Sequence, residues 1–230
     1  MRPGASPGTE ATPELRAALR GLFPDGVELE LAGLAEGKQA PLFDVEQSAI
    51  ANAMPARRLE FTAGRLAAHL AMRSLGLSAQ AIAMAPDRAP IWPAGLKGSI
   101  SHGAEICAAV ISADPAIRSL GLDIEPDSAL PVDILDTVLM SEERAWLSAQ
   151  AHAGHLARVI FCIKEAVYKA QYPLSRLILG FDALRIMPDP EAGTFQAEFL
   201  RDCHPFRSGD RLAGRFIRSG GIIAAGVCIF

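Results

Sequence analysis

The chain has 230 residues, half of them hydrophobic, enough for one large domain or two small ones with a real core. Its formal net charge of −4 argues against general nucleic-acid binding but leaves room for a local basic pocket. The cysteines, Cys107, Cys162, Cys203 and Cys228, make no C-x-x-C pair and no zinc or disulfide pattern, so reduced thiols in a cytoplasmic protein are expected.

The opening MRPGASPGTEATPE has one arginine and no apolar run, so it does not read as a signal peptide; residues 1–13 are expected as a loose tail. PELRAALRGLF predicts a short helix and VELELAG an alternating strand. The stretch from Val45 to Leu77 reads as helix on both sides of Pro55, ending near Gly76. AIAMAP, GSISHGAEICAAVIS and RSLGLDIEP then read as strands. VDILDTVLMSEERAWLSAQ returns to helix, with Ser141 as a cap before the acids. HLARVIFCIKEAVYKAQ is a second strong helix, and four short strands with turns between them close the chain. No apolar run reaches the length of a membrane span.

The order is helix then strands, twice. SHGAEICAAVI and SGGIIAAGVCI echo each other as a serine, a turn and a small-residue strand. The expectation is an α+β fold of two pseudo-symmetric halves, 14–117 and 118–230. Each half would pack a long helix on a small antiparallel sheet, with the active site in the cleft between them.

Several segments suggest chemistry. In GLDIEP, Leu122 and Ile124 face one way and Asp123 and Glu125 the other, because strand side chains alternate. Two stacked acids repel, so solvent and scattered lysines, a partner strand's arginine, or a hard metal ion must sit against them. In the second helix Leu156, Ile160, Ile163 and Val167 form one stripe at about 100° per residue, with Glu165 almost opposite and Lys169 one turn on. A surface i,i+4 ion pair would look the same. In GSISHG, adjacent Ser101 and His102 point to opposite sides and cannot form a nucleophile–base pair, though both could line an anion site. Arg57, Arg65 and Arg88 have the planar fork that suits phosphate, although any one alone reads as a solvated surface arginine. His152 and His155 have no third ligand near them in the sequence.

Taken in order, RRLEFTAGRLAA, APIWPAGLKGSISHG, GLDIE, VLMSEERAWL and FCIKEAVYKA resemble the signature segments of the 4′-phosphopantetheinyl transferases, of the Sfp/EntD type with both halves in one chain. The resemblance runs from about residue 57 to 170. It implies that a carrier-protein serine attacks the β-phosphate of coenzyme A, takes the 4′-phosphopantetheine arm and releases adenosine 3′,5′-bisphosphate. It implies Asp123, Glu125 and Glu165 as ligands of Mg²⁺, with Mn²⁺ as a substitute, and Lys169 on the phosphate oxygens. Arg57, Arg65, Arg88, Ser101 and His102 would cradle the nucleotide, with Lys164 a lesser candidate. Glu165 is the first choice for the serine's base and Glu143 the second. Met140 departs from the usual Thr or Ser, and Cys162 from the commoner Ser.

The implied partners are coenzyme A and apo carrier proteins of nonribosomal peptide, polyketide, siderophore or fatty-acid synthases, with the enzyme a cytoplasmic monomer. No nucleic-acid partner is expected. The rival reading is a non-catalytic coenzyme A or carrier-protein binder on the same fold. The complete set Asp123, Glu125, Glu165 and Lys169 speaks against it.

Overall fold

A computed structural model describes residues 12–230. In chain order the elements are α1 (Pro13–Arg20), β1 (Glu28–Gly33), α2 (Leu34–Gly37), α3 (Asp44–Ala49), α4 (Pro55–Ser74), β2 (Ala83–Met84), β3 (Pro90–Ile91), β4 (Lys97–Gly103), β5 (Ile106–Ser112) and β6 (Ser119–Pro126). There follow α5 (Leu135–Val138), α6 (Ser141–Ser148), α7 (Ala153–Ser175), β7 (Leu184–Asp189), β8 (Thr194–Phe199), β9 (Arg211–Ser219) and β10 (Ile222–Ile229). Among these residues no helix is long and apolar enough to cross a membrane.

The fold is α+β with antiparallel sheets. One sheet runs β1-β5-β4, a second β6-β10-β9-β8-β7, and β2 with β3 makes a separate two-stranded hairpin. The alanine-rich helix α4 covers one face of the first sheet, where Ala63, Ala67 and Ala71 meet Cys107, Ala109 and Ile111. Helix α7 covers one face of the second through Ile160, Ile163 and Val167 against Ile223, Ala225 and Val227. The opposite faces share one core, in which Leu15, Leu19 and Leu22 pack with Leu31, Val110, Leu122, Ile124 and Ala224. The sheets are thus bound into one body by apolar burial.

Strands β4 and β6 lie against each other without a ladder of their own. Ser99 Oγ accepts the Leu122 N–H and Ser101 Oγ accepts the Ile124 N–H, each at 3.1 Å. Two glycines allow the close approach. A Cβ on Gly103 would strike the Ile124 carbonyl, and one on Gly121 the Ala166 carbonyl of α7. The second contact presses α7 onto the strand that carries Asp123 and Glu125.

The structure departs from the sequence reading in three places. Thr12 is not tail: its Oγ1 accepts the Leu15 N–H at 3.2 Å as the N-cap of α1, and Pro13, counted both as tail and as the first residue of the predicted helix, starts that helix. The rest of the expected tail lies outside the described residues. The helix expected over 132–150 is a 3₁₀ turn and two short helices, broken at Leu139, whose backbone is extended (φ −99, ψ 132). The cap of α6 is Met140 rather than Ser141, and its N–H is satisfied by the Glu143 carboxylate at 2.8 Å.

Candidate active site

A cleft of about 730 Å³ opens between the two sheets, within the ordinary range for a small-molecule site. Its walls are the start of α4, the β2–β3 hairpin, β4, β6 and the cleft side of α7. Asp123, Glu125, Glu165, Lys169, Arg57 and Arg88 all line it, as do Arg65, Ser101 and His102. Nine of the eleven predicted site residues therefore share one cavity.

The two acids of β6 are faced by two cations of α7. Lys169 Nζ donates to Asp123 Oδ1 at 2.7 Å, to Ser101 Oγ at 3.0 Å and to the Leu122 carbonyl at 3.1 Å. Arg158 Nη1 donates to Glu125 Oε2 at 2.8 Å, and Nη2 to the Ala129 carbonyl at 3.2 Å. Glu165 lies between these cations along the helix, seven residues after Arg158 and four before Lys169, hence on the same face. The rival reading, a surface i,i+4 ion pair of Glu165 with Lys169, is not among the ion pairs of the described residues, because the ammonium turns to Asp123 instead. Arg158 was not foreseen. Its signal is spacing: it stands two turns before Glu165, and a second strand acid needs a second counter-charge.

Each strand carboxylate is held by one oxygen. Asp123 Oδ1 takes Ser101 at 2.9 Å as well as Lys169, while Oδ2 is buried with no hydrogen-bond partner. Burial, and then the Asp123 charge, push the Glu125 carboxyl up to about 7, with Arg158 opposing. Burial and Asp123 also raise Glu165, against Lys169. Crowded, desolvated acids of this kind are typical of functional sites. Among the described residues no three His, Cys, Asp or Glu side chains converge tightly enough to hold a metal unaided. Mg²⁺ rarely uses such a cage; it keeps waters and takes one or two carboxylates plus substrate phosphate. The orphaned Asp123 oxygen fits that demand, and a cation would relieve the charge crowding from Asp123 that helps to raise Glu125.

The remaining basic side chains line the same cleft. Arg57 Nη1 donates to Glu60 at 3.2 Å and to His102 Nε2 at 3.4 Å. Burial lowers the His102 imidazole below its ordinary value, with Glu60 opposing and Arg57 adding to the fall. Arg88 sits at the hairpin tip with φ 71, a left-handed conformation that a bulky side chain rarely takes. Ser101 and His102 do diverge: Ser101 is buried, whereas the His102 side chain is 46 % exposed.

Glu143 and Lys164 are the corrections. They form a buried ion pair at 2.8 Å, and each is about 1 % exposed in its side chain. Glu143 also accepts the Met140 and Ile186 N–H groups, and Lys164 donates to the Val138 and Phe181 carbonyls. Neither lines the cleft. Lys164 is adjacent to Glu165 in sequence but is turned about 100° around the helix, away from the cleft. A carboxylate so fully engaged cannot take a substrate proton, and the pair ties α6, α7 and β7 together.

The profile of the 4′-phosphopantetheinyl transferase N-terminal domain matches residues 45–112. That of the 4′-phosphopantetheinyl transferase superfamily matches residues 119–211. The chain is 38 % identical over 187 residues to 4′-phosphopantetheinyl transferase Npt of Nocardia iowensis, covering 78 % of this chain and 83 % of that protein. It is 36 % identical over 194 residues to 4′-phosphopantetheinyl transferase Svp of Streptomyces mobaraensis, covering 82 % and 78 %. It is 37 % identical over 133 residues to enterobactin synthase component D of Salmonella typhi, covering 56 % and 54 %.

Proposed function

This chain belongs to the 4′-phosphopantetheinyl transferase family, and from that premise we propose how its cleft carries out the transfer. The protein is an enzyme that moves phosphopantetheine onto carrier proteins, and the family's donor is coenzyme A. We read the cleft between 14–117 and 118–230 as the active site of two pseudo-symmetric halves. The observation that carries this reading is the row Arg158, Glu165 and Lys169 on α7 facing Asp123 and Glu125 on β6, with one oxygen of Asp123 left unpartnered.

Asp123, Glu125 and Glu165 would hold Mg²⁺, or Mn²⁺ in its place. When bound, the cation neutralises pyrophosphate charge and polarises the phosphate that is attacked. Arg57, Arg88 and His102 bind and orient the nucleotide end of coenzyme A. Arg65, although it borders the cleft, is largely buried. Glu165 takes the proton of the attacking serine, a role helped by the burial and the Asp123 charge that raise its basicity. Lys169 meets the charge on the transferring phosphate. Its ammonium has three N–H bonds, all engaged here, so it must release one acceptor to do so. Positioning and charge neutralisation supply the rate. The carriers are those of nonribosomal peptide, polyketide, fatty-acid or siderophore synthesis, the last favoured by the enterobactin synthase relatives. We place the enzyme in the cytoplasm as a monomer. The test is transfer to a panel of apo carriers with Mg²⁺, with Mn²⁺ and with chelator. Unimpaired transfer in chelator overturns the metal assignment.

Two expected results follow from residues of this cleft. Replacing Arg88 with alanine should raise the KM for coenzyme A about ten- to a hundredfold, and that for dephospho-coenzyme A little. A charge-assisted contact to the 3′-phosphate is worth roughly 1.5–3 kcal/mol. An equal rise for both substrates removes the contact.

The second concerns pH. Glu125 keeps its proton in the free folded chain up to about 7, against 4.5 ordinarily. Between those values the folded state binds more protons than the unfolded, so this group's contribution to stability falls as pH rises through the window. A cation needs the ionised form. Its affinity should therefore climb with pH to about 7 and level off above, with proton release on binding. Calorimetric Mg²⁺ titrations in buffers of different ionisation heat measure both. An affinity flat across the window contradicts the assignment.

A further inference from the structure

The β2–β3 hairpin carries Asp87, Arg88 and Trp92 into the cleft, yet each of its strands is two residues long. A hairpin that small does not hold itself in water. It is anchored at Ile82, the residue before β2, which is fully buried. Glu46 of α3 accepts the Ile82 N–H on Oε1 at 2.9 Å. Arg65 of α4 donates from Nε to the Ile82 carbonyl at 3.1 Å. One residue's backbone is therefore clamped from both sides by a carboxylate and a guanidinium, themselves 3.7 Å apart.

The clamp is braced in turn. Glu46 is fully buried; its Oε1 is also 3.1 Å from His69 Nε2, and its Oε2 accepts the Phe43 N–H at 3.0 Å. The Arg65 guanidinium lies over the Phe61 ring at 4.2 Å. A buried carboxylate is costly unless paired and hydrogen-bonded; Glu46 is satisfied by the α3 cap Phe43, by His69 and by the Ile82 N–H at the base of the hairpin. Glu46 does not line the cleft, so it touches no substrate.

We propose that Glu46, with Arg65, is a positioning residue that sets the hairpin and so places Arg88 for the 3′-phosphate of coenzyme A. The inference rests on the Arg88 contact proposed above and deepens it. Arg65, which borders the cleft but is largely buried, acts here through the backbone it holds. Small displacements of a binding group cost affinity out of proportion to their size, so the effect should concentrate in recognition of the phosphate that Arg88 meets.

The experiment measures kcat and KM for coenzyme A and for dephospho-coenzyme A in the wild type, Glu46→Gln, Arg88→Ala and the double variant, with thermal melting of each. Glu46→Gln should raise the KM for coenzyme A by up to the factor seen for Arg88→Ala, with kcat at saturation and the KM for dephospho-coenzyme A little changed. The double variant should be no worse than Arg88→Ala alone, since both changes remove one contact. Hydrogen exchange should quicken over residues 82–91. If Glu46→Gln does not fold, Glu46→Asp, which keeps the charge but withdraws the oxygen from Ile82, carries the same comparison. A Glu46 variant that raises both KM values alike, or adds to Arg88→Ala in full, overturns the inference. If Arg88→Ala itself fails to distinguish the two substrates, the 3′-phosphate contact falls, and this inference with it.

Discussion

Replacing Asp123 with asparagine is expected to abolish transfer while leaving the protein folded. Asparagine keeps the shape and can still meet Ser101 and Lys169 through one oxygen. It loses the charge that the unpartnered Oδ2 now presents. Two opposing terms govern stability. The 2.7 Å ion pair with Lys169 is lost, but Lys169 is 27 % exposed and keeps Ser101 and the Leu122 carbonyl. Against that, the like charge beside Glu125 and Glu165 disappears, and both acids are raised in part by it. The net change in Tm should stay within about 5 °C, since about 1 kcal/mol moves a chain of this size by only ~2–4 °C. Turnover should fall by several orders of magnitude, as for loss of a group required only in the transition state. Activity and Tm falling together would make Asp123 a structural ion-pair member and nothing more.

The second large effect is expected at Glu165 and Lys169. Glu165→Gln removes the serine's base without changing its shape, and Lys169→Ala removes the cation for the transferring phosphate. Each alone should lower kcat by several orders of magnitude, and the pair together little more than the worse single change, because members of one catalytic unit are non-additive. The two side chains form no ion pair with each other; Lys169 is bound to Asp123. Strong coupling in kcat would therefore report a shared transition state rather than a broken contact. A surface ion pair predicts a few tenths of a kcal/mol in stability and near-normal turnover. A kcat within about tenfold of wild type for either single variant removes that residue from the mechanism.

Much of this site was legible because period and face are simple geometry. The alternation in GLDIEP put Leu122 and Ile124 into the shared core and turned Asp123 and Glu125 to the other face. The stripe of α7 correctly named the residues packed on the second sheet. Periodicity could not say what lies on the helix's remaining sides. Helix α7 is covered on most of them, so Lys164, one residue from Glu165, turns into a buried pair with Glu143. Lys169 and Arg158 reach across to the strand acids; spacing along α7 puts both on the face of Glu165, but which strand acid each one meets is a pairing between elements that the local pattern does not encode. The break at Leu139 was hidden for a similar reason: the residues around it suit a helix, and tertiary packing decides otherwise. Glu46 gave no signal at all, since a glutamate in the first turn of a short helix ordinarily faces water.

The most direct test of the central claim is intact-mass measurement of apo carrier proteins incubated with the enzyme, coenzyme A and Mg²⁺, beside the Asp123→Asn variant. The account predicts that at least one carrier gains a single phosphopantetheine, at the acceptor serine, with release of adenosine 3′,5′-bisphosphate and none of either from the variant. A folded wild-type enzyme that binds coenzyme A and modifies no carrier in the panel, or a variant that modifies it as fast as wild type, would contradict it.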